Sequence, residues 1–358
     1  MVCAVHARPK RSIAHLDFAL SGSNFVLPSE ACAESDKLQY CLSGVKPYFM
    51  ELMGCGTALV TPFRGDKDES VDEVALEALV NWQIERGIGF LVACGTTGEA
   101  STLTEQEWLR TVEIVVQTAH GRVPVFAGCT HNNTREAVTR ARILRAALPD
   151  LNGILTSNPY YNRPGQEGQY QHFRAIAEAV DLPILLYNIP SRTGTNLEPA
   201  TVARLAEIDN IFGIKESSGS VAQITELLHT LPRAFKVFAG DDGMALPTIA
   251  LGGCGLISVA SNQIPNQMTA MVNAALDNDW ATARRIHRHY SRLMSANFIE
   301  ASPAPVKAIL SMMGRIEETV RLPIVPVSGA TRRSLERLAG ELGLLVDAPP
   351  TGDNLRMF

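Results

Sequence analysis

Lys215 is the residue whose setting most directly implies chemistry. It ends the apolar run IFGIK, and lysine is scarce around it: between Lys67 and Lys307 only Lys215 and Lys236 occur, while arginine is plentiful. Burial disfavours an ammonium ion and lowers its pKa. At the reference value of ~10.4 about one lysine in 2500 is neutral at pH 7. Lowering it by ~3 units costs about 4 kcal/mol and makes a large fraction nucleophilic. The natural use of such an amine is an imine, or Schiff base, with a carbonyl compound. The alternative is a buried lysine paired structurally with Glu216 or another carboxylate.

An imine-forming lysine needs groups that move protons during carbinolamine dehydration and carbon–carbon bond formation. Tyr187, in the run PILLYNIP, is placed for this, and Thr96, Thr97 and Tyr161 supply further hydroxyls. Each tyrosine also has a plainer reading as interior packing with a satisfied hydroxyl. Gly95 and Gly98 flank the two threonines and suit a loop whose backbone N–H groups receive a carboxylate. Arg192, between Ser191 and Thr193, carries the guanidinium fork for a second carboxylate, with a surface salt bridge as the alternative.

All these residues close short β-rich runs. GTALVTPF, GFLVACG, VPVFAGC, GILTSNP, PILLYNIP, IFGIKESS, KVFAGDD and GLISVAS begin near residues 56, 89, 123, 153, 183, 211, 236 and 255. Amphipathic stretches such as VDEVALEALVNWQIERG and EQEWLRTVEIVVQTAHG lie between them. Continuously apolar strands imply burial on both faces, the mark of a parallel sheet. Eight βα units in roughly 220 residues is the size of a (β/α)8 TIM barrel, whose chemistry sits at the C-terminal ends of the strands. A doubly wound sheet is the rival, but no GxGxxG follows the first strand. The spacing therefore predicts a catalytic barrel over 50–276. Helical pattern continues without strands in DWATARRIHRHYSRLM, PAPVKAILSMMG and TRRSLERLAGELGLL, predicting a C-terminal helical annex over 277–345 and a frayed tail over 346–358.

Composition removes several function classes. The chain has 358 residues, 46% apolar and 19% charged, the latter below the ~25% of an average soluble domain. A net charge of −5 with no basic run after Arg11 argues against nucleic acid or an anionic membrane surface as partner. No apolar stretch approaches the ~20 residues of a membrane span. Seven cysteines without a CxxC pair (Cys3, Cys32, Cys41, Cys55, Cys94, Cys129, Cys254) read as free thiols in a reducing cytosol. His287-x-His289 lies in an Arg-rich helical stretch, is expected to be solvated, and has no third ligand at metal spacing. Residues 1–49 show no sustained period and fit neither a secretory signal nor an acid-poor transit peptide. They read as a dispensable, poorly ordered extension, with Met50 as an alternative start.

GTTGE, NPYYNRP, LYNIPSRTG, GIKESSG and AGDD, in this order and spacing, resemble the dihydrodipicolinate synthase family of pyruvate-dependent class I aldolases, from about Gly54 to about Leu345. The resemblance implies condensation of pyruvate with L-aspartate 4-semialdehyde on the route to diaminopimelate and lysine. By motif, Lys215 resembles the lysine that forms the pyruvate imine and Tyr187 the tyrosine that donates and accepts protons. Thr96 and Tyr161 resemble the rest of the proton relay, Tyr161 reaching in from a neighbouring subunit. Thr97, Ile257 and Gly240 resemble pyruvate-pocket residues, and Arg192 the arginine that receives the semialdehyde carboxylate. The resemblance further implies no external cofactor, no metal, a cytoplasmic enzyme, and a homotetramer built as a dimer of dimers.

Sister pyruvate aldolases, such as N-acetylneuraminate lyase or 2-keto-3-deoxy-sugar acid aldolases, share the lysine and tyrosine. The sialate lyases typically read GSTGE where this chain reads Gly95-Thr96-Thr97-Gly98-Glu99. A catalytically silent scaffold barrel is the reading from another class, and no motif residue is missing to support it. The family's allosteric lysine site resembles Ala100, Ser101, Asn132, Glu136 and Tyr160 here. Glu105 and Trp108 stand where some inhibited members carry histidines, which predicts weak or altered lysine inhibition.

Overall fold

Strands that are apolar on both faces must be covered on both, and this chain does so by closing them into a ring with helices outside. The computed structural model describes residues 51–345; the extension and tail expected over 1–49 and 346–358 lie outside the described residues. The strands are β1 (Gly54–Ala58), β2 (Phe90–Ala93), β3 (Val125–Gly128) and β4 (Gly153–Ser157). They continue with β5 (Ile184–Asn188), β6 (Ile211–Glu216), β7 (Lys236–Ala239) and β8 (Gly255–Ser258). Each pairs in parallel with the next, and β8 returns to β1, giving a closed (β/α)8 barrel in sequence order. The eight starts agree with the sequence reading to within two residues, and the doubly wound rival is excluded.

Helices α1 (Glu73–Glu85), α2 (Glu105–Ala119), α3 (Thr134–Ala147) and α4 (Gln166–Ala179) return the chain between successive strands. The loop after β5 opens with a single-turn helix, α5 (Pro190–Thr193), ahead of α6 (Pro199–Leu205). Then come α7 (Val221–Thr230), α8 (Ala245–Ala250) and α9 (Pro265–Leu276). The C-terminal region adds α10 (Trp280–Ala296), α11 (Ala304–Met312) and α12 (Gly329–Glu341). Barrel and C-terminal helices fall within one compact unit, with no boundary near residue 277. Among the described residues no helix is long and apolar enough to cross a membrane.

Two apolar layers result. Phe90, Val92, Phe126, Leu155, Leu185, Phe212, Phe238 and Ile257 fill the inside of the ring, together with Tyr187. Phe90 meets Phe126 and Phe238 edge-on at centroid distances of 6.0 and 5.4 Å, so the interior is a packed plug rather than a channel. The outer layer joins the other face of the strands to the helices, including Ile214, Leu186, Leu335 and Leu338. Between β5 and β6 the register slips by one residue after Ile184, so that Leu185 faces Gly213 and Tyr187 faces Lys215. Such an extra residue re-aims the side chains beyond it, here at the catalytic end of the strand.

Candidate active site

Strand alternation decides the first question about Lys215. Tyr187 lines the inside of the ring, and its register partner Lys215 shares that face, 5% exposed. Glu216, one residue on, faces the other way. Its carboxylate accepts from Ser218 N–H (2.6 Å), Asn188 Nδ2 (3.0 Å) and Gln223 Nε2 (3.2 Å). The structural pairing of Lys215 with Glu216 is therefore absent, because successive side chains on a strand point to opposite faces. Among the described residues no ion pair involves Lys215; its Nζ instead lies 4.4 Å from the centroid of the Tyr187 ring.

Burial lowers the Lys215 pKa to about 8, helped by the Arg192 cation and opposed by Asp242 and Asp241. Burial pushes the Tyr187 phenol up to about 12, while Arg192 and the hydroxyls of Ser217 and Thr96 pull it back. Asp242 is held behind the lysine by Ser258 Oγ–H (2.5 Å) and the N–H groups of Ala260 (2.9 Å) and Val259 (3.3 Å). Its burial raises the carboxyl pKa to about 6. Gly240 follows β7 where a Cβ would run into Ser217 Oγ first and would also lie 2.9 Å from Cε and Cγ of Lys215, so glycine leaves both side chains their place. Ile257 is fully buried on the same inner face.

The loop after β2 uses some of its backbone donors on itself. Gly98 N–H donates to Gly95 O (3.1 Å), Glu99 N–H to Thr96 O (3.1 Å) and Ala100 N–H to Gly95 O (3.4 Å). Those three donors are spent within the loop, while the N–H groups of Thr96 and Thr97 make no bond among the described residues and are left, with the hydroxyls, to meet a carboxylate. Gly98 is required for close approach, since a Cβ there would lie 3.0 Å from Leu59 O and 3.1 Å from the Cys94 backbone. Thr96 is exposed and Thr97 buried.

A cavity of about 430 Å³ opens over these strand ends. Thr96, Tyr187 and Arg192 line it, as do Ala100, Ser101 and Tyr160 of the lysine-site set. Arg192 stands exposed on α5 at the rim. Asn132 and Glu136 are not among the lining residues, and Tyr161 is 88% exposed, turned away from its own chain's cavity. Tyr161 has a φ of +70°, an unusual conformation for a bulky side chain. Flanking contacts hold its loop: Asn162 Nδ2 donates to Asn132 O (3.0 Å) and Arg163 Nε to Gly194 O (2.8 Å). Trp108 is buried and gives its indole N–H to Gly128 O (3.0 Å), whereas Glu105 is exposed.

Sequence reasoning assigned no role to Asp242, Glu99, Lys307 or Arg321. Lys307 carried a usable signal: it breaks the apolar run PVKAIL as Lys215 breaks IFGIK. The expected solvation of the histidine pair holds for His289, which is exposed, but not for His287, whose Nε2 is buried. Helix α10 turns that side of His287 inward. Among the described residues no group of three His, Cys, Asp or Glu side chains is placed to hold a metal ion.

Fold and site together define a parallel (β/α)8 barrel with a buried, partly deprotonated amine at the end of its sixth strand. Residues 51–342 match the dihydrodipicolinate synthetase family, and the chain belongs to that family. It is 63% identical over 301 residues to a 4-hydroxy-tetrahydrodipicolinate synthase of Acidobacterium capsulatum, covering 84% of this chain and 99% of that relative. It is 57% identical over 299 residues to the protein of the same name from Koribacter versatilis, again covering 84% and 99%. The crystal structure of dihydrodipicolinate synthase from Aquifex aeolicus superposes with a TM-score of 0.80 at 38% identity, covering 83% of this chain and all of that one.

Proposed function

We propose that this chain is a 4-hydroxy-tetrahydrodipicolinate synthase, a lyase that condenses pyruvate with L-aspartate 4-semialdehyde through an imine on Lys215. The observation that carries the reading is a lysine amine at the catalytic end of β6, buried, free of any ion pair among the described residues and lowered to about pKa 8. About one tenth of such amines are neutral at pH 7, against one in ~2500 for an exposed lysine.

The neutral amine attacks the pyruvate ketone, and loss of water from the carbinolamine gives the imine. Loss of a methyl proton gives an enamine, whose carbon attacks the aldehyde of the second substrate. The new alkoxide takes a proton, and the substrate amine then displaces Lys215 as the ring closes. Tyr187 is the proton carrier next to the lysine, and its raised pKa keeps the phenol protonated at neutral pH. Thr96 relays protons beyond it. Thr97, Gly240 and Ile257 hold pyruvate, and Arg192 at the rim receives the semialdehyde carboxylate. No external cofactor or metal enters this sequence, because the imine itself is the electron sink.

Tyr161 completes the relay in a neighbouring subunit. Its exposure and left-handed backbone fit a side chain presented outward, and we assign the assembly as a homotetramer, a dimer of dimers, in the cytoplasm. Lysine inhibition is weak or altered: Ala100, Ser101 and Tyr160 share the cavity, but Trp108 is turned inward and Glu105 adds an exposed carboxylate.

Borohydride reduction in the presence of pyruvate, with peptide mapping, tests the reading. A covalent adduct on Lys215, together with turnover of pyruvate and aspartate semialdehyde in a coupled assay, is the expected result. No adduct on Lys215 would sink this reading and the sister-aldolase reading alike; an adduct without semialdehyde turnover would move the chain to a sister aldolase.

A further inference from the structure

Glu99 ends the threonine loop, yet its side chain leaves that loop for the C-terminal helices. The residue is 2% exposed and its φ is +52°, so a left-handed, non-glycine backbone and a buried carboxylate coincide at one position. Oε1 lies 2.5 Å from Lys307 Nζ on α11, and both side chains are fully buried. Oε2 accepts the backbone N–H of Arg321 at 3.2 Å. Lys307 Nζ also donates to Thr319 O (2.8 Å) and sits 4.1 Å from the Phe63 ring centroid.

Arg321 extends the anchor. Its guanidinium forks onto the Glu107 carboxylate at 2.9 and 2.6 Å and donates to Thr102 O (3.2 Å) and Glu69 O (2.6 Å). Glu107 is at the same time the N3 partner of Thr104 in the capping box of α2. Both ends of the segment from Glu99 to Glu107 are thus fastened to residues of the C-terminal region.

Stability alone is a poor explanation for the buried pair. The desolvation of two charges offsets most of their attraction, and an apolar pair of similar volume commonly serves as well. Geometry is the better explanation. Glu99 N–H donates to Thr96 O, so the anchored residue fixes the peptide of Thr96, which lines the same cavity as Tyr187.

We propose that Glu99, held by Lys307 and Arg321, is a positioning residue that sets Thr96 against Tyr187 for the proton transfers after imine formation. This rests on the imine chemistry proposed above. Because Lys215 is placed by β6 rather than by this loop, losing the anchor leaves the imine able to form at saturating pyruvate and slows the later proton transfers.

Wild-type enzyme, Glu99→Gln, and the double variant Glu99→Gln/Lys307→Met distinguish the possibilities as purified oligomers. The double variant matters because Glu99→Gln alone strands a buried ammonium and risks misfolding. In the folded double variant, the final extent of borohydride labelling of Lys215 at saturating pyruvate should match wild type. Its kcat should fall tenfold or more, as expected for a displaced reacting group. Wild-type kcat in the folded double variant would overturn the proposal. Labelling and kcat falling in parallel would also overturn it, because the anchor would then serve the lysine or the fold as a whole. Absence of labelling in wild type would instead refute the imine reading, separately from this one.

Discussion

The Lys215 amine stands 4.4 Å from the centre of the Tyr187 ring, at a paired register position on neighbouring strands. The aromatic face is mildly favourable to an ammonium ion, by roughly 0.5–2 kcal/mol, and burial is unfavourable to it. Burial wins, and the lysine is left near the midpoint of its titration at slightly alkaline pH. One contact thus joins the amine and phenol to which the proposed mechanism gives the nucleophile and proton-carrier roles.

The first prediction is kinetic. With Lys215 at about 8, the rate of imine formation should rise about tenfold per pH unit below pH 8 and level off above it. Tyr187, at about 12, keeps its proton throughout and contributes no alkaline limb below pH 10. Stopped-flow or quench measurements with pyruvate between pH 6 and 9.5 check this; a rate independent of pH below 8 would contradict it.

A second prediction concerns stability, with the sign set by the same shift. A lysine whose pKa falls from 10.5 unfolded to about 8 folded binds fewer protons in the native state between those values. Its penalty is full below pH 8 and is relieved as pH rises toward 10.5. Lys215→Met should therefore raise Tm more at pH 7 than at pH 10, while abolishing turnover by at least about 10³-fold. Equal Tm gains at both pH values would argue against a charged, buried Lys215.

Asp242 supplies the third. Its carboxylate raises the Lys215 pKa and is held by one hydroxyl and two backbone N–H groups that an amide can also satisfy. Asp242→Asn should fold, and the rising limb of the imine-formation profile should move to lower pH. An unmoved limb would show that the two groups are not coupled.

Gly240→Ala is the fourth. A Cβ there meets Ser217 Oγ and lies 2.9 Å from two carbons of Lys215, so these side chains or the strand end must move aside. Overpacking of this kind costs about 1–3 kcal/mol. The displaced amine should lose about 10²-fold or more in labelling rate with pyruvate. Thermal denaturation and labelling measured together check both; a wild-type labelling rate would mean that Ser217 or the strand end yields and the lysine stays in place.

Arg192→Ala separates the two substrates. Removing a charge-assisted partner of the semialdehyde carboxylate should raise the KM for that substrate about tenfold or more, with labelling by pyruvate little changed. A KM effect confined to pyruvate would place Arg192 over the first substrate instead.

The barrel was legible because each strand is a short apolar run set off by glycine or proline, and the helices between them have a clear 3.6-residue period. Lys215 was legible because a cation inside such a run has no solubility role. Its escape from Glu216 is a consequence of strand alternation once the register is known, but the slip after Ile184 has no mark in the sequence. The glycines mark the threonine loop as a source of backbone N–H groups, but which of them close the loop on itself, those of Gly98, Glu99 and Ala100, has no mark in the sequence. Asp242 and the Lys307–Glu99 pair were invisible for a different reason. Their meaning lies in contacts across the barrel that no local pattern encodes, although the scarcity argument used for Lys215 applies equally to Lys307.

Arg321 and Glu99 are 222 positions apart, and the barrel itself closes only when β8 meets β1. A chain emerging from its N-terminus makes the threonine loop early and its fastening late. The partners that fasten the β2 loop, Lys307 on α11 and Arg321, are made only after all eight strands. A chain cut before Lys307 would keep Lys215 and all eight strands but lose both partners of the Glu99 carboxylate.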